Sequence, residues 1–245
     1  MKKIKLLGWA FVALFMCTNF IACNSSDDED EISKSKKIVE IRTRYYAHKF
    51  SYNNKGLLDS ITDADGDDWY HAFTWHNDYI EEKFYYGGSW RSEDHKGKYY
   101  LTNNTIFKIK YESNDFNEWG YEYKYNTSKK LNLYYENYDS YVDSVQIVWE
   151  NNRIIEWGDT KFIYGEETCK GYVPLDLLVG GLSEEPELYT IHPELLNIRT
   201  NQLPIKIIRY GEECPVQYSF DEDGYIRKIS LIYRDNNRVM AFTWE

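Results

Sequence analysis

One stretch occurs twice, and it constrains the fold more than anything else in the chain. Phe50-Ser-Tyr-Asn-Asn-Lys-Gly56-Leu-Leu-Asp-Ser-Ile61 aligns without a gap on Tyr218-Ser-Phe-Asp-Glu-Asp-Gly224-Tyr-Ile-Arg-Lys-Ile229. Ala72-Phe-Thr-Trp75 then recurs letter for letter as Ala241-Phe-Thr-Trp244, with one residue gained in between. Each copy reads as an aromatic strand, a Gly-containing turn, an aliphatic strand, a polar turn and a Phe-x-Trp strand. A weaker echo runs through the middle: Tyr99 to Ile106, Tyr123 to Leu131 and Ile147 to Ile154 each place an apolar strand, an Asn-rich turn and an apolar strand in that order.

The intervening sequence has the same grammar. Phe107, Ile109 and Tyr111 alternate with Lys108, Lys110 and Glu112; Tyr121, Tyr123 and Tyr125 alternate with Glu122 and Lys124. A period of two with one polar face predicts antiparallel sheet solvated on one side. Turn signals such as Asn103-Asn104, Asn151-Asn152, Gly158-Asp159 and Asp223-Gly224 supply the positive φ that tight hairpins need. The 24 tyrosines and 8 tryptophans favour strands. The expected fold is all-β: an up-and-down antiparallel meander of about fifteen strands, closing into a barrel-like structure because so long a sheet must curl. The two copies, near its two ends, are expected to be neighbours across the seam, leaving no exposed edge. One segment breaks the pattern. Leu175, Leu178, Val179 and Leu182, followed by a possible single turn at Pro193-Glu-Leu-Leu-Asn197, predict a short helical insertion over 174–197 that plugs or caps the barrel.

Residues 1–22 read as an export signal, with Lys2, Lys3 and Lys5 before the apolar run Leu6–Met16. Its end, Phe20-Ile-Ala-Cys23, resembles the lipobox of bacterial lipoproteins, with Phe20 in place of the usual Leu. In that class the mature chain begins at the Cys, so Cys23 is the expected lipidation site and the bilayer an expected partner through the acyl chains. Cys17 is the rival, but Met16 before it is not small. Residues 23–37 form an acidic, then lysine-bearing tether too polar to fold. The acidic run just after Cys23 resembles the surface-export signal of Bacteroidota-type lipoproteins, which implies the outer membrane, cell-surface side; a plain solvating spacer reads equally well. The folded domain is 38–245. Losing residues 1–22 removes three lysines and no acid, so the net charge of −11 becomes about −14. That field repels nucleic acid and anionic headgroups alike.

Tyr164, Leu175-Asp-Leu-Leu178, Asn201-Gln-Leu-Pro204 and Tyr218-x-Phe-Asp-x-Asp-Gly-Tyr-Ile226 together resemble a family of Bacteroidota lipoproteins of unknown function with a porin-like fold; the hairpins also resemble YD repeats. Cys169-Lys-Gly171 departs from that family's pattern in the same loop. The resemblance implies an antiparallel barrel and an envelope location. It implies no activity and carries no functional residue.

Chemistry-bearing motifs are few. No Gly-x-Ser-x-Gly, phosphate loop or His-Glu-x-x-His is present. Asp63, Asp65 and Asp67 alternate as calcium ligands do, although the matching tip of the second copy, Arg234-Asp-Asn-Asn237, is a plain turn. Cys169 and Cys214 are a possible disulfide in an oxidising envelope, or two separate thiols. Trp69, Trp90 and Trp119 lie beside turns, where flat apolar faces could meet a glycan; for any single one, packing as core at a barrel end is the more ordinary role. The expectation is a non-enzymatic surface binding or scaffold module, for a glycan or other nutrient or for an outer-membrane protein complex. The alternative is a glycan hydrolase whose carboxylate pair the sequence does not single out.

Overall fold

The computed structural model describes residues 36–66, 69–86, 93–113, 119–138, 141–182, 186–234 and 236–245. Residues 1–35, with the expected export signal, Cys23 and most of the expected tether, lie outside the described residues, as do Asp67 and Trp90.

Sixteen antiparallel strands close into one barrel in which every strand pairs with its sequence neighbours. They are β1 (Ile38–Arg42), β2 (Ala47–Tyr52), β3 (Leu58–Asp63), β4 (Trp69–Trp75), β5 (Tyr79–Tyr86), β6 (Glu93–Thr102), β7 (Thr105–Ser113), β8 (Trp119–Tyr125), β9 (Leu131–Tyr138), β10 (Tyr141–Glu150), β11 (Arg153–Trp157), β12 (Thr160–Thr168), β13 (Gln202–Arg209), β14 (Glu212–Phe220), β15 (Ile226–Tyr233) and β16 (Asn236–Trp244). The seam is β1 against β16, with Ile38 opposite Trp244 and Ile41 opposite Phe242. Lys37 and Glu245 extend it by exchanging backbone hydrogen bonds of 2.6 and 2.9 Å. The repeated units, β2–β4 and β14–β16, are therefore separated by the single strand β1 rather than paired with each other.

The repeat has a physical basis that shows in three places. Asn53, Asn126 and Asp221 each open a tight turn. Each side-chain oxygen accepts two backbone N–H groups, from residues 55 and 57, 128 and 130, and 223 and 225. Such caps hold the turn without help from the sheet. The first residue of the next strand, Leu58, Leu131 or Ile226, is fully buried. Its carbonyl accepts the indole N–H of Trp75, Trp149 or Trp244 at 2.7, 2.6 and 2.6 Å. The middle copy is thus complete, with Lys129 at the positive-φ position where Gly56 and Gly224 stand.

Between β12 and β13 the chain dips into the barrel. It forms α1 (Leu175–Val179), α2 (Leu188–Ile191) and a 3-10 turn, Pro193–Leu196. Leu175, Leu177, Leu178, Leu188, Ile191, Leu195 and Leu196 are all buried. At about 1.5–3 kcal/mol per buried side chain, they make the insertion part of the core rather than a loose cap. His192 ties it to the wall: its Nε2 accepts the Leu58 N–H at 3.1 Å, so its Nδ1 carries the proton and faces Glu194 at 2.8 Å.

The possible Cys169–Cys214 bridge is not present; both thiols are free and buried. Cys169 N–H bonds to Asn201, just before β13, whereas Cys214 pairs with Ile207, deep in β13. From Asn201 to Ile207 an extended chain covers about 20 Å, far beyond the roughly 7 Å that a disulfide tolerates between Cα atoms. Burial raises the Cys169 thiol to about 11, so it stays protonated.

The barrel has two unlike ends. At one, here the turn end, lie the tight turns at 53–57, 76–78, 103–104, 126–130, 151–152 and 221–225, both chain ends of the barrel, and the start and finish of the insertion. At the other, the loop end, lie, among the described residues, 43–46, 64–66 and the short turns at 158–159 and 210–211.

Candidate functional site

Strand polarity carries the sequence candidates to the loop end. Asp63 ends β3 there, and Trp69 and Trp119 begin β4 and β8 there. Both tryptophans turn into the barrel and pack on the core; neither stands on the outer wall. Trp119 stacks on Tyr111, with ring centroids 5.1 Å apart at 19°. Trp69 sits between His48 (4.7 Å) and His71 (5.3 Å).

These rings enclose a polar network. His71 follows Trp69 on the inner face of β4. It meets Glu82 of β5 diagonally across the ladder, because His71 pairs with Phe84 and Phe73 with Glu82. His71 Nδ1 lies 2.5 Å from Glu82 Oε1. The Tyr99 hydroxyl donates to Glu82 Oε2 at 2.7 Å and lies 3.1 Å from that of Tyr111. Glu82 is 3% exposed, so this carboxylate lives entirely on its internal partners. Gly97 makes the convergence possible: a Cβ there would stand 2.8 Å from Glu82 Oε2 and 2.9 Å from Tyr111. Burial, reinforced by Glu82 for Tyr99 and Glu187 for Tyr111, pushes both phenols far above the ordinary tyrosine range, so they remain proton donors.

His48, 1% exposed, has no hydrogen-bond partner on either ring nitrogen among the described residues. Burial first, then the nearby His71, lowers it to about 4, so it is neutral at neutral pH. His48, Trp69, His71, Glu82 and Glu187 line a cavity of about 30 Å³. That holds one or two waters; ligand pockets run to about 300–1,000 Å³. The network can bind water and share a proton, and it is too small to admit a sugar ring. Glu187 is occupied as well, accepting the backbone N–H of Thr190 in a capping box.

The two described carboxylates of the acidic tip, Asp63 and Asp65, have internal partners. Arg42 donates to both oxygens of Asp65 at 2.9 Å, and Asp63 Oδ1 accepts the Asp65 N–H at 2.9 Å. Among the described residues no group of three or more His, Cys, Asp or Glu side chains converges as a metal site.

No protein-family model matches the chain, and no curated protein is similar to it. The crystal structure of a porin-like protein from Bacteroides uniformis ATCC 8492 superimposes with a TM-score of 0.59 and 16% identity, over 86% of this chain and 94% of that one. The fold is porin-like. The likeness lies in architecture, and at this identity it transfers no residue. In this porin-like barrel the outer wall carries Lys108 paired with Glu122 (3.0 Å), Lys206 with Glu213 (2.7 Å), and exposed Lys161 and Lys228, while leucines, isoleucines and aromatic rings fill the inside.

The signal for the inner network was present in the sequence as polar residues on an apolar face: His71 within Trp69-x-His-x-Phe73, and Glu82 within Ile80-x-Glu-x-Phe84. It required knowing which face points inward and how β4 and β5 register.

Proposed function

We propose that this protein is a lipid-anchored, non-enzymatic barrel of a bacterial envelope that binds its ligand, a glycan or other nutrient, at the loop end. The observation that carries the proposal is the barrel's polarity. The chain enters at the turn end, where Lys36 pairs with Asp221 (3.1 Å) and Asp223 (2.6 Å). An anchor at Cys23 would therefore hold that end near the membrane and turn the loop end outward. The charged outer wall supports anchoring over insertion, because a lipid-facing barrel wall must be apolar. The filled interior supports binding over conduction. The one or two waters that fit beside Glu82 support binding over hydrolysis.

The test uses the full-length protein in its own envelope. Wild type should take up palmitate and pellet with membranes; Cys23→Ala should do neither. An epitope inserted after Gly211, at the loop end, should be stained on intact cells, and one inserted after Asn54 should be stained far less. Palmitate labelling that survives Cys23→Ala would overturn the anchor, and stronger staining at Asn54 would overturn the orientation.

A further inference from the structure

We infer that the barrel mouth at the loop end is a binding cleft for an oxyanion, a carboxylate or phosphate carried on a sugar-sized ring, gripped by Arg209 and Arg238. The inference deepens the proposal that the loop end binds ligand, and it rests on that reading.

Arg209 ends β13 and Arg238 lies near the start of β16. Each follows the inward alternation of its strand, set by buried Ile207 and buried Met240. The two strands are separated by β14 and β15, yet the guanidinium groups meet beside Gly181, just past the end of α1. The point where a Cβ on Gly181 would stand is 2.3 Å from Arg209 Nη1 and 3.2 Å from Arg238 Nη1. Gly181 therefore leaves the room in which two cations converge. Arg238 Nη1 also donates to the Gly181 carbonyl at 3.0 Å.

Two like charges this close repel, and a protein of net charge −11 has acids available to neutralise them. Among the described residues none does so. Glu212, directly opposite Arg209 in the β13–β14 ladder, is taken by Arg234, whose Nε reaches its two oxygens at 2.7 and 2.8 Å. The Cys214 thiol at the cleft is raised by burial and stays neutral. An unneutralised guanidinium pair is a preformed receptor for a carboxylate or phosphate, whose oxygens match two N–H forks.

The walls suit a ring. The cleft measures about 240 Å³, room for one small group rather than a chain. Tyr210 stands at its mouth, 66% exposed, with the Arg209 guanidinium 5.3 Å from its ring centroid. Tyr233 lies beside Arg238, 5.8 Å from guanidinium to centroid. Tyr210 has φ +51° in the two-residue turn Tyr210-Gly211. The barrel's comparable turns are Asn103-Asn104 and Asn151-Asn152, where the side chain tolerates that backbone. A bulky aromatic there is locally unfavourable. It puts a flat face, able to stack on a sugar, next to the cations.

The experiment titrates the full-length lipoprotein in detergent micelles with sodium glucuronate, inorganic phosphate and glucose, read by calorimetry. Saturable binding of glucuronate or phosphate, weakened by salt, with none for glucose, is the expected result. Arg209→Gln and Arg238→Gln should each weaken it by about tenfold or more, as loss of a charge-assisted contact does. Binding of glucuronate alone assigns the oxyanion to a sugar acid, and of phosphate alone to a phosphorylated compound. Tyr210→Asn relieves the turn and should fold at least as well as wild type while losing glucuronate affinity, so it serves if an arginine variant misfolds. No anion binding up to about 10 mM, or binding unchanged in both arginine variants, overturns the inference. If surface display is intact in that case, only the anion cleft falls; if the loop end is not displayed, the underlying reading falls.

Discussion

Lys129 offers a sharp test of the threefold turn. It sits at φ +59°, where the matching positions are Gly56 at +78° and Gly224 at +88°. Its side chain is exposed, and what matters locally is backbone: its N–H bonds to Asn126 O at 2.9 Å and its carbonyl accepts Asn197 Nδ2 at 2.9 Å. Lys129→Gly keeps both. A left-handed conformation costs an L-residue about 1–2 kcal/mol. Glycine's extra unfolded-state freedom returns about 0.4–1 kcal/mol of that. The variant should therefore be more stable by about 0.5–1 kcal/mol, or about 2 °C in Tm for a domain of this size. Gly224→Ala is the mirror experiment. The added Cβ would meet only Lys170 Cγ and Cδ at 3.7 and 3.9 Å, ordinary contacts, so backbone conformation alone should cost about 1 kcal/mol. Both are read from urea midpoints at constant m-value on a chain beginning at Asn24, which keeps the Lys36 ion pairs. A Lys129→Gly variant less stable than wild type, or a neutral Gly224→Ala, would refute the equivalence of the three turns.

Three further outcomes follow from the interior. His48 is depressed from 6.5 to about 4 in the folded state, so its contribution is complete above pH 6.5 and is lost as pH falls towards 4. Wild type should lose up to about 3 kcal/mol over that window relative to His48→Leu, measured by urea unfolding at each pH; parallel curves would contradict a neutral buried imidazole. Gly97→Ala should destabilise by about 1–3 kcal/mol, because the new methyl overlaps Glu82 and Tyr111 where neither can withdraw, and a thermal melt unchanged within error would count against that packing. Trp149→Phe leaves the Leu131 carbonyl without its indole donor and should cost about 1–3 kcal/mol in the same melt, with a neutral result counting against the third repeat.

The meander was legible because period-two alternation and Asx-Gly turns are local. Phe50–Trp75 and its copy need no knowledge of the rest of the chain to be read as hairpins. The helical insertion was legible for the same reason, through Leu175, Leu178 and the prolines. The middle repeat was half hidden, because Lys129 replaces the glycine that marks the other two turns and because the indole-to-carbonyl bond of Trp149 joins two neighbouring strands, 18 residues apart in sequence. Trp69 and Trp119 stand beside connections, as their sequence context implies, but side-chain direction depends on which face of each strand turns inward. His71–Glu82 and Arg209–Arg238 were out of reach: the first needs the β4–β5 register, the second the strand order and an intruding glycine. The strand count rose from fifteen to sixteen.

The seam has a consequence for how the molecule is made. Ile38 and Trp244 are nearly the full chain apart, so the contact that closes the barrel is among the most distant in sequence that it contains. Until β16 has emerged, β1 and β15 are both raw edges, each able to pair with a stranger. Synthesis from the N-terminus delivers β16 last. The chain must therefore wait with open edges, and a truncation of only a few C-terminal residues would leave it permanently in that aggregation-prone state.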